Sequence, residues 1–103
     1  LGDTSDVVMT SEMVDQPPRA MLAAQPEYPA RAKAKEVEGY VVLSLLINKE
    51  GRVETIKVIE SSPTGTFEDA AIRAVKGWQF EPAKYEGKSV ETWANQTIRF
   101  DLG

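Results

Sequence analysis

The sequence predicts an α+β fold in which two helices pack on one face of a three-stranded antiparallel sheet, with a long C-terminal strand at its edge. Two segments with helical spacing of apolar residues, 29–39 and 66–78, predict the helices. A pair of β-rich segments within residues 40–61 predicts a hairpin, and residues 89–102 alternate between apolar and polar side chains as a strand does. At 103 residues, the chain is the size of one small domain.

The composition excludes several classes of protein. The chain contains no Cys and no His, so it has no disulfide framework, no thiolate zinc site and no cysteine or histidine catalysis. Its net charge is −4, and residues 1–16 hold all of the excess, with four acidic and no basic side chains. The remainder is neutral and lacks the basic surface that phosphate binding needs. We therefore expect no nucleic-acid partner, no metal, no cofactor and no enzymatic activity.

Residues 1–18 are expected to be a flexible tail or the end of a linker, and residues 19–103 the folded domain. The first part is rich in Ser, Thr and Asp, and Pro17 and Pro18 prevent a helix from continuing inward. No apolar stretch approaches the roughly 20 residues that span a bilayer, and no signal segment is recognisable. A chain that starts with Leu1 instead of Met favours a piece of a larger protein.

The first helix is predicted to begin at Pro29 and to stop at Gly39. Proline suits the first helical position because its missing N–H has no intrahelical acceptor there. Glycine commonly follows a helix C terminus. Ala30, Ala34 and Val37 share one face, which is small enough for the helix to lie close to a sheet.

A β-hairpin is predicted next, because two β-rich segments flank a turn. Tyr40–Asn48 is apolar on both faces, as is typical of a central strand. The turn is Asn48–Gly51, with Gly51 at positive φ. Arg52–Ser61 is the second strand.

The second helix has start and stop signals. Thr66 can cap its N terminus, and the carboxylates of Glu68 and Asp69 suit the positive end of the helix dipole. Pro82 forces the chain out of the helix. Its apolar residues recur on one face: Phe67, Ala71, Ala74, Val75 and Trp78.

The last strand, Ser89–Leu102, is the most informative segment. Its residues, at about 3.3 Å each, span about 45 Å, whereas most strands have five or six residues. It carries few of the features that block an exposed edge, having Glu91, Arg99 and no proline. We therefore expect this edge to accept another extended peptide through backbone hydrogen bonds.

Candidate binding residues lie on the polar face of the last strand and in a segment before the first helix. On the strand they are Trp93, Asn95, Thr97 and Arg99. Trp93 is either a lone exposed aromatic, which is common, or an anchor beside the edge, and the sequence supports both equally. The segment Gln25–Pro29 is either a rigid entry to the helix or a contact for a ligand strand.

The order of these elements and their local motifs resemble the C-terminal domains of the TonB family. The matching motifs are Tyr28-Pro29-Ala30 with Ala32, Glu38–Val41, Asn48–Val53, Ile59–Ser62, Phe67-Glu68, Ala70-Ala71, Ala74-Val75, Trp78–Ala83 and Ile98–Phe100. They extend over residues 25–102. Each motif is degenerate, but the ordered set is specific.

The resemblance implies a periplasmic domain of an energy transducer in a Gram-negative envelope, anchored in the inner membrane by an N-terminal helix that is not in this fragment and acting with ExbB and ExbD. It implies binding of the TonB box, a peptide of outer-membrane transporters for siderophores, haem or vitamin B12, as an added strand beside the last strand. In the family a Gln before a Pro-x-Tyr-Pro segment lies near this contact, and Gln25 takes that place here. We therefore expect Gln25, Pro26 and Tyr28 to be partner-binding residues.

An alternative is a TonB-like envelope scaffold or regulatory interaction domain that self-associates through its edge strand and forms a homodimer. A free edge permits strand exchange between copies of one chain. A membrane helix and a Pro-rich stretch ahead of the domain would favour the transducer. A mass that rises with protein concentration would favour self-association.

Overall fold

The structure, a computed structural model, describes residues 8–103. This part of the chain forms seven strands and two helices: β1 (Val8–Thr10), β2 (Arg19–Leu22), α1 (Ala30–Ala34), β3 (Gly39–Ile47), β4 (Val53–Ser62), α2 (Glu68–Val75), β5 (Gln79–Glu81), β6 (Ala83–Tyr85) and β7 (Lys88–Phe100). Five strands form one sheet, in which β1, β7, β3 and β4 lie side by side and β6 pairs with β7. Strands β2 and β5 form a separate antiparallel pair.

The predicted arrangement of two helices on a three-stranded sheet is wrong, because the described chain is mainly strands in two sheets. The three predicted strands are present as β3, β4 and β7. The prediction missed β1, β2, β5 and β6, which have only three or four residues each. A period-two pattern needs about four to eight residues to be visible, so strands this short leave almost no local signal.

The predicted hairpin and its central strand are confirmed. Strand β3 pairs antiparallel with β4 on one side and with β7 on the other, where nine consecutive pairs run from Gly39–Phe100 to Ile47–Thr92. Alternate residues of β3 are fully buried: Val41, Leu43, Leu45 and Ile47. Gly51 has a φ of 83°, and a side chain there would meet the backbone of Phe80, so the predicted glycine turn is also confirmed.

Helix α1 is shorter than predicted, and it does not end at Gly39. Glu36 adopts a left-handed φ of 55°, and the Val37 N–H donates to the Ala32 carbonyl. The Glu36 N–H donates to the Lys33 carbonyl, which completes the hydrogen-bond pattern of a Schellman C-cap. Gly39 instead begins β3, where a Cβ would lie 1.9 Å from the backbone oxygen of Ser62.

Helix α2 begins after Phe67, so the prediction that Thr66 caps its N terminus is wrong. The Glu68 carboxylate accepts hydrogen bonds from the Gly65 N–H at 2.8 Å and from the Ser61 hydroxyl at 2.7 Å. These two hydrogen bonds, with the backbone one the larger cause, lower the pKa of Glu68. The contact ties the start of α2 to the end of β4.

The main hydrophobic core joins both helices to one face of the large sheet. Its aromatic centre is a stacked pair, Phe67 and Phe100, with ring centroids 4.4 Å apart. Tyr28 packs edge-on against both rings at 5.6 and 5.7 Å. Trp78 is buried in this core, as predicted, and its indole N–H donates to the Ala24 carbonyl at 2.9 Å.

Candidate functional site

The outer edge of β7 is covered over its first part and open over its second. Strand β3 pairs with Thr92–Phe100 on the inner side. On the opposite side, β1 pairs in parallel with Glu91–Trp93. Strand β6 pairs with Lys88–Val90, before the part of β7 that pairs with β3. Beyond Trp93, no strand within residues 8–103 pairs with the outer side, so the seven residues Ala94–Phe100 form an open edge. Strand β7 is therefore an edge strand only over its C-terminal half, in contrast to the prediction.

The alternating pattern of β7 sets which side chains border this open edge. Thr92, Ile98 and Phe100 point into the core and are buried. Asn95, Thr97 and Arg99 lie on the opposite face and are exposed. A peptide added to the edge would therefore meet Asn95, Thr97 and Arg99 on one face of the sheet, and the half-buried Ala94 and Gln96 on the other.

Trp93 lies on that same face but is half-buried. The Lys57 ammonium of β4 sits 4.9 Å from the centre of its ring. At an exposed site such a cation–π contact contributes about 0.5–1 kcal/mol. Trp93 is thus held by the sheet at the point where the covered part of the edge ends, which is compatible with either interpretation of this residue.

The C-terminal end of the open edge meets the segment before α1. Gln25, Pro26 and Tyr28 line a cavity of about 280 Å³ together with Arg99–Asp101. Four of the candidate residues, Gln25, Pro26, Tyr28 and Arg99, are therefore brought together, although more than 70 residues separate Gln25 from Arg99.

Tyr28 also has a structural role in this segment. Its hydroxyl donates to the Val37 carbonyl beside the end of α1. Burial raises the pKa of Tyr28 above its ordinary value of 10.0, and the negative charges of Glu38 and Asp101 raise it further. The hydroxyl therefore stays protonated as a donor, and the ring fixes the Gln25–Pro29 segment against the end of β7.

The other end of the open edge has a second cavity, which the sequence did not predict. It has a volume of about 500 Å³, and its lining residues are Thr10, Ser11, Glu12, Pro17, Pro18, Trp93, Ala94 and Asn95. Trp93 and Asn95 were candidates, whereas the N-terminal residues were assigned to a tail. Their contact with β7 is long-range and has no local signal apart from the short apolar run at Val8–Met9.

Residues 8–103 contain neither a cluster of metal-ligating side chains nor a membrane-spanning helix. Within this part of the chain, no group of three acidic side chains is placed to hold a metal ion. No helix in the same range is long and apolar enough to cross a bilayer.

These features define the class of protein: a small domain in which one regular strand edge is left open between two cavities. The family of the Gram-negative bacterial TonB protein C-terminal domain matches residues 24–102. The solution NMR structure of the Pseudomonas aeruginosa TonB C-terminal domain superimposes with a TM-score of 0.71 at 32% identity, covering 85% of this chain and 89% of that one. The chain therefore belongs to the TonB C-terminal domain family, as the sequence motifs indicate.

Other relatives agree with this assignment and show how much of a TonB protein the chain represents. The structure of TonB2 from Vibrio anguillarum has a TM-score of 0.64 at 30% identity, covering 100% of this chain and 91% of that one. TonB of Escherichia coli K12 is 37% identical over 67 residues, which are 65% of this chain but 28% of that protein. TonB of Vibrio cholerae is 30% identical over 90 residues, which are 87% of this chain and 37% of that protein. The chain thus spans well under half the length of these curated relatives.

Proposed function

We propose that this domain is the periplasmic C-terminal domain of a TonB-type energy transducer and that it binds the TonB box of outer-membrane transporters as an added strand on Ala94–Phe100. The open edge in a chain of this family is the observation that supports the proposal most. In the full-length protein, an inner-membrane helix and the partners ExbB and ExbD would couple the proton-motive force to siderophore, haem or vitamin uptake. The division between a linker end at residues 1–18 and the domain at 19–103 belongs to the same proposal, with the difference that Val8–Thr10 of the linker end pair with the domain as β1.

Strand addition suits a partner that must be held reversibly. Every second residue of a strand directs its N–H and C=O toward one side, so seven open residues offer about six backbone hydrogen bonds. Each contributes about 0.5–1.5 kcal/mol net, and the loss of translational and conformational freedom offsets much of the sum. Backbone pairing also tolerates different peptide sequences, which would let one domain serve several transporters.

The predicted side chains would act at the two ends and along one face of this strand. Gln25 and Pro26 would contact the peptide near Phe100, with Tyr28 holding their segment in place. Trp93 and Asn95 would contact its other end, and Thr97 and Arg99 would lie beside alternate peptide side chains. Side chains on the polar face thus supply selectivity, while the backbone supplies affinity.

Titration of the isotope-labelled domain with a synthetic TonB-box peptide tests the proposal by NMR. We expect amide shifts and slower hydrogen exchange along residues 94–100, with smaller shifts at Gln25–Tyr28. Amide shifts confined to any other surface would contradict the proposal.

Two adjacent proline variants sharpen this test. Gln96→Pro and Thr97→Pro remove N–H groups that point to opposite sides of β7. The variant that loses a bond to β3 should unfold, whereas the other should keep its circular dichroism and lose peptide binding. Undiminished affinity in the folded variant would exclude edge pairing.

Self-association through the same edge is the second candidate function, because an open edge fits a second copy of the chain as well as a peptide. Sedimentation equilibrium separates the two. A mass that rises with concentration and falls when the TonB-box peptide is added would show that both use Ala94–Phe100. A mass of one chain at all concentrations would exclude the homodimer.

A further inference from the structure

The covered part of the β7 edge is occupied by the chain's own N-terminal segment. Strand β1 pairs in parallel with β7, with Val8 opposite Glu91 and Thr10 opposite Trp93. The central residue, Met9, is 4% exposed and packs in a small apolar cluster with Ala83 and Val90. This cluster is separate from the main core, so β1 has its own hydrophobic attachment to β6 and β7.

Hydrogen bonds fix the same segment at two further places. Thr92, which is fully buried, donates its hydroxyl to the Met9 carbonyl at 2.8 Å. The Asp15 carboxylate accepts the Glu86 N–H at 2.6 Å, and Asp15 and Gln16 both donate backbone N–H groups to the Lys84 carbonyl. Displacing β1 would leave the Thr92 hydroxyl without this acceptor and expose Met9 to solvent. Both changes raise the free energy of the displaced state.

The chain turns away from β7 where the open edge begins. The Met13 N–H donates to the Thr10 carbonyl at 3.0 Å, which directs Ser11 and Glu12 off the line of the strand. The 500 Å³ cavity lies at this corner, between the turn and Trp93–Asn95. The edge beyond the corner is open, while the edge before it is filled by β1.

We infer that β1 and its turn, Val8–Glu12, are a fixed stop that confines an added peptide strand to Ala94–Phe100. This inference rests on the proposed function and adds to it the length and position of the peptide. An incoming extended peptide can pair over at most seven residues before it meets Thr10. The peptide then ends in the cavity beside Trp93 rather than replacing β1.

A peptide-length series tests the stop. TonB-box peptides of seven residues, and the same peptides extended by four residues at either terminus, are titrated by calorimetry against the 103-residue chain. In the wild-type domain, neither extension should tighten binding by more than about twofold. In Met9→Ser, which loosens β1, one of the two extensions should tighten binding by roughly tenfold, the effect of about two added backbone hydrogen bonds.

Met13→Ser is the matched control, because Met13 is 54% exposed and lies outside the small cluster. It should behave as the wild type with every peptide. Thermal unfolding shows whether Met9→Ser keeps the main core. If Met9→Ser does unfold, Val8→Pro, which disturbs the same strand at an exposed position, replaces it in the series.

Hydrogen exchange gives the outcome that overturns the inference. With peptide bound to the wild type, the amides of Val8–Thr10 and Glu91–Trp93 should keep their protection. Release of Val8–Thr10 on binding, or affinity of the wild type that grows by more than about twofold with either extension, would refute the stop and leave the proposed function intact. Absence of binding by every peptide to wild type and variants alike would refute the proposed function, and this inference with it.

Discussion

The large sheet has two outer edges that differ in regularity. On the open part of β7, the pairs with β3 from Ala94 to Phe100 run without interruption. Along β4, the pairing with β3 shifts twice, once between Val42 and Leu43 and once between Leu46 and Ile47, which leaves Ile59 and Glu54 as extra residues. Bulges twist and bend a strand so that another strand cannot easily pair with it.

The difference shows which edge is suited to a partner. Strand β4 exposes apolar side chains at Val58 and Ile59, so exposed apolar surface alone would favour β4 as the edge that binds a partner. Its bulges and its charged residues Lys57 and Glu60 oppose strand addition. The Ala94–Phe100 edge has no bulge against β3, so its backbone groups lie in a straight row. Regular backbone geometry, more than apolar surface, distinguishes the proposed binding edge.

Gly39→Ala should have the largest effect, because it disturbs both edges at once. A Cβ at this position would lie 1.9 Å from the Ser62 oxygen, at the end of the β3–β4 pairing and next to Phe100. We expect the free energy of unfolding to fall by about 3 kcal/mol or more, as measured by urea denaturation. Gly77→Ala is the control, since the nearest atom to its Cβ is 3.9 Å away. Equal stability of the two variants would show that the two strands can separate at no cost.

Deletion of Ile59 should make most of β4 a regular edge. Removing this extra residue restores an unbroken register with β3 from Thr55 to Ser62, while the shift at Glu54 and the exposed Val58 remain. We expect the dissociation constant for self-association to fall about tenfold, or about 1.4 kcal/mol, in sedimentation equilibrium. Ile59→Ser, which keeps the bulge, should not change association. A folded deletion variant that associates no more than wild type would show that the bulge does not protect this edge.

Glu68→Gln should weaken the connection between α2 and the end of β4. The pKa of Glu68 is lowered from 4.5, first by the Gly65 N–H and then by the Ser61 hydroxyl. Because the pKa of Glu68 is lower in the folded than in the unfolded state, its ionised carboxylate stabilises the folded state at pH values above the unfolded-state pKa. This contribution disappears as the pH falls through the folded-state pKa. We expect a loss of about 1 kcal/mol at pH 7 that shrinks below about pH 4, after allowance for partial exposure. Urea denaturation at both pH values measures it, with Asp69→Asn as the control; a loss independent of pH would contradict the assignment.

Lys57→Gln should have the smallest effect, because it removes one contact that links the two edges across β3. Loss of the cation–π contact with Trp93 should cost about 0.5 kcal/mol and change the tryptophan fluorescence. Lys76→Gln, on the exposed end of α2, is the matched control. If peptide affinity also drops in Lys57→Gln alone, the position of Trp93 matters for binding and the residue is an anchor.

The parts of the fold that were predicted correctly are those encoded by sequence patterns of a few consecutive residues. The hairpin and the alternation of β7 were correct, because strand periodicity and glycine turns are encoded over a few residues. The end of α1 was wrong, because Glu36 accepts a left-handed conformation that glycine normally supplies. Gly39 serves a close backbone approach to Ser62, which only the paired strands reveal.

The candidate site was predicted in part for the same reason. Periodicity placed Asn95, Thr97 and Arg99 on one exposed face, and the structure agrees. The approach of the Gln25–Pro29 segment to Arg99 followed from the family resemblance, not from spacing. The cover over Glu91–Trp93 depends on one buried methionine, Met9, in a segment of polar composition. No property of the sequence near Met9 specifies a partner more than 80 residues away.

The parallel course of β1 has a mechanical consequence. When a tensile load at Val8 is directed along the strand axis, the paired positions from Val8 to Thr10 resist it together in shear. A load perpendicular to the strands would instead open such pairs one after another. The short strand, secured by Met9, would therefore deliver tension into β7 along its length without first peeling the sheet apart.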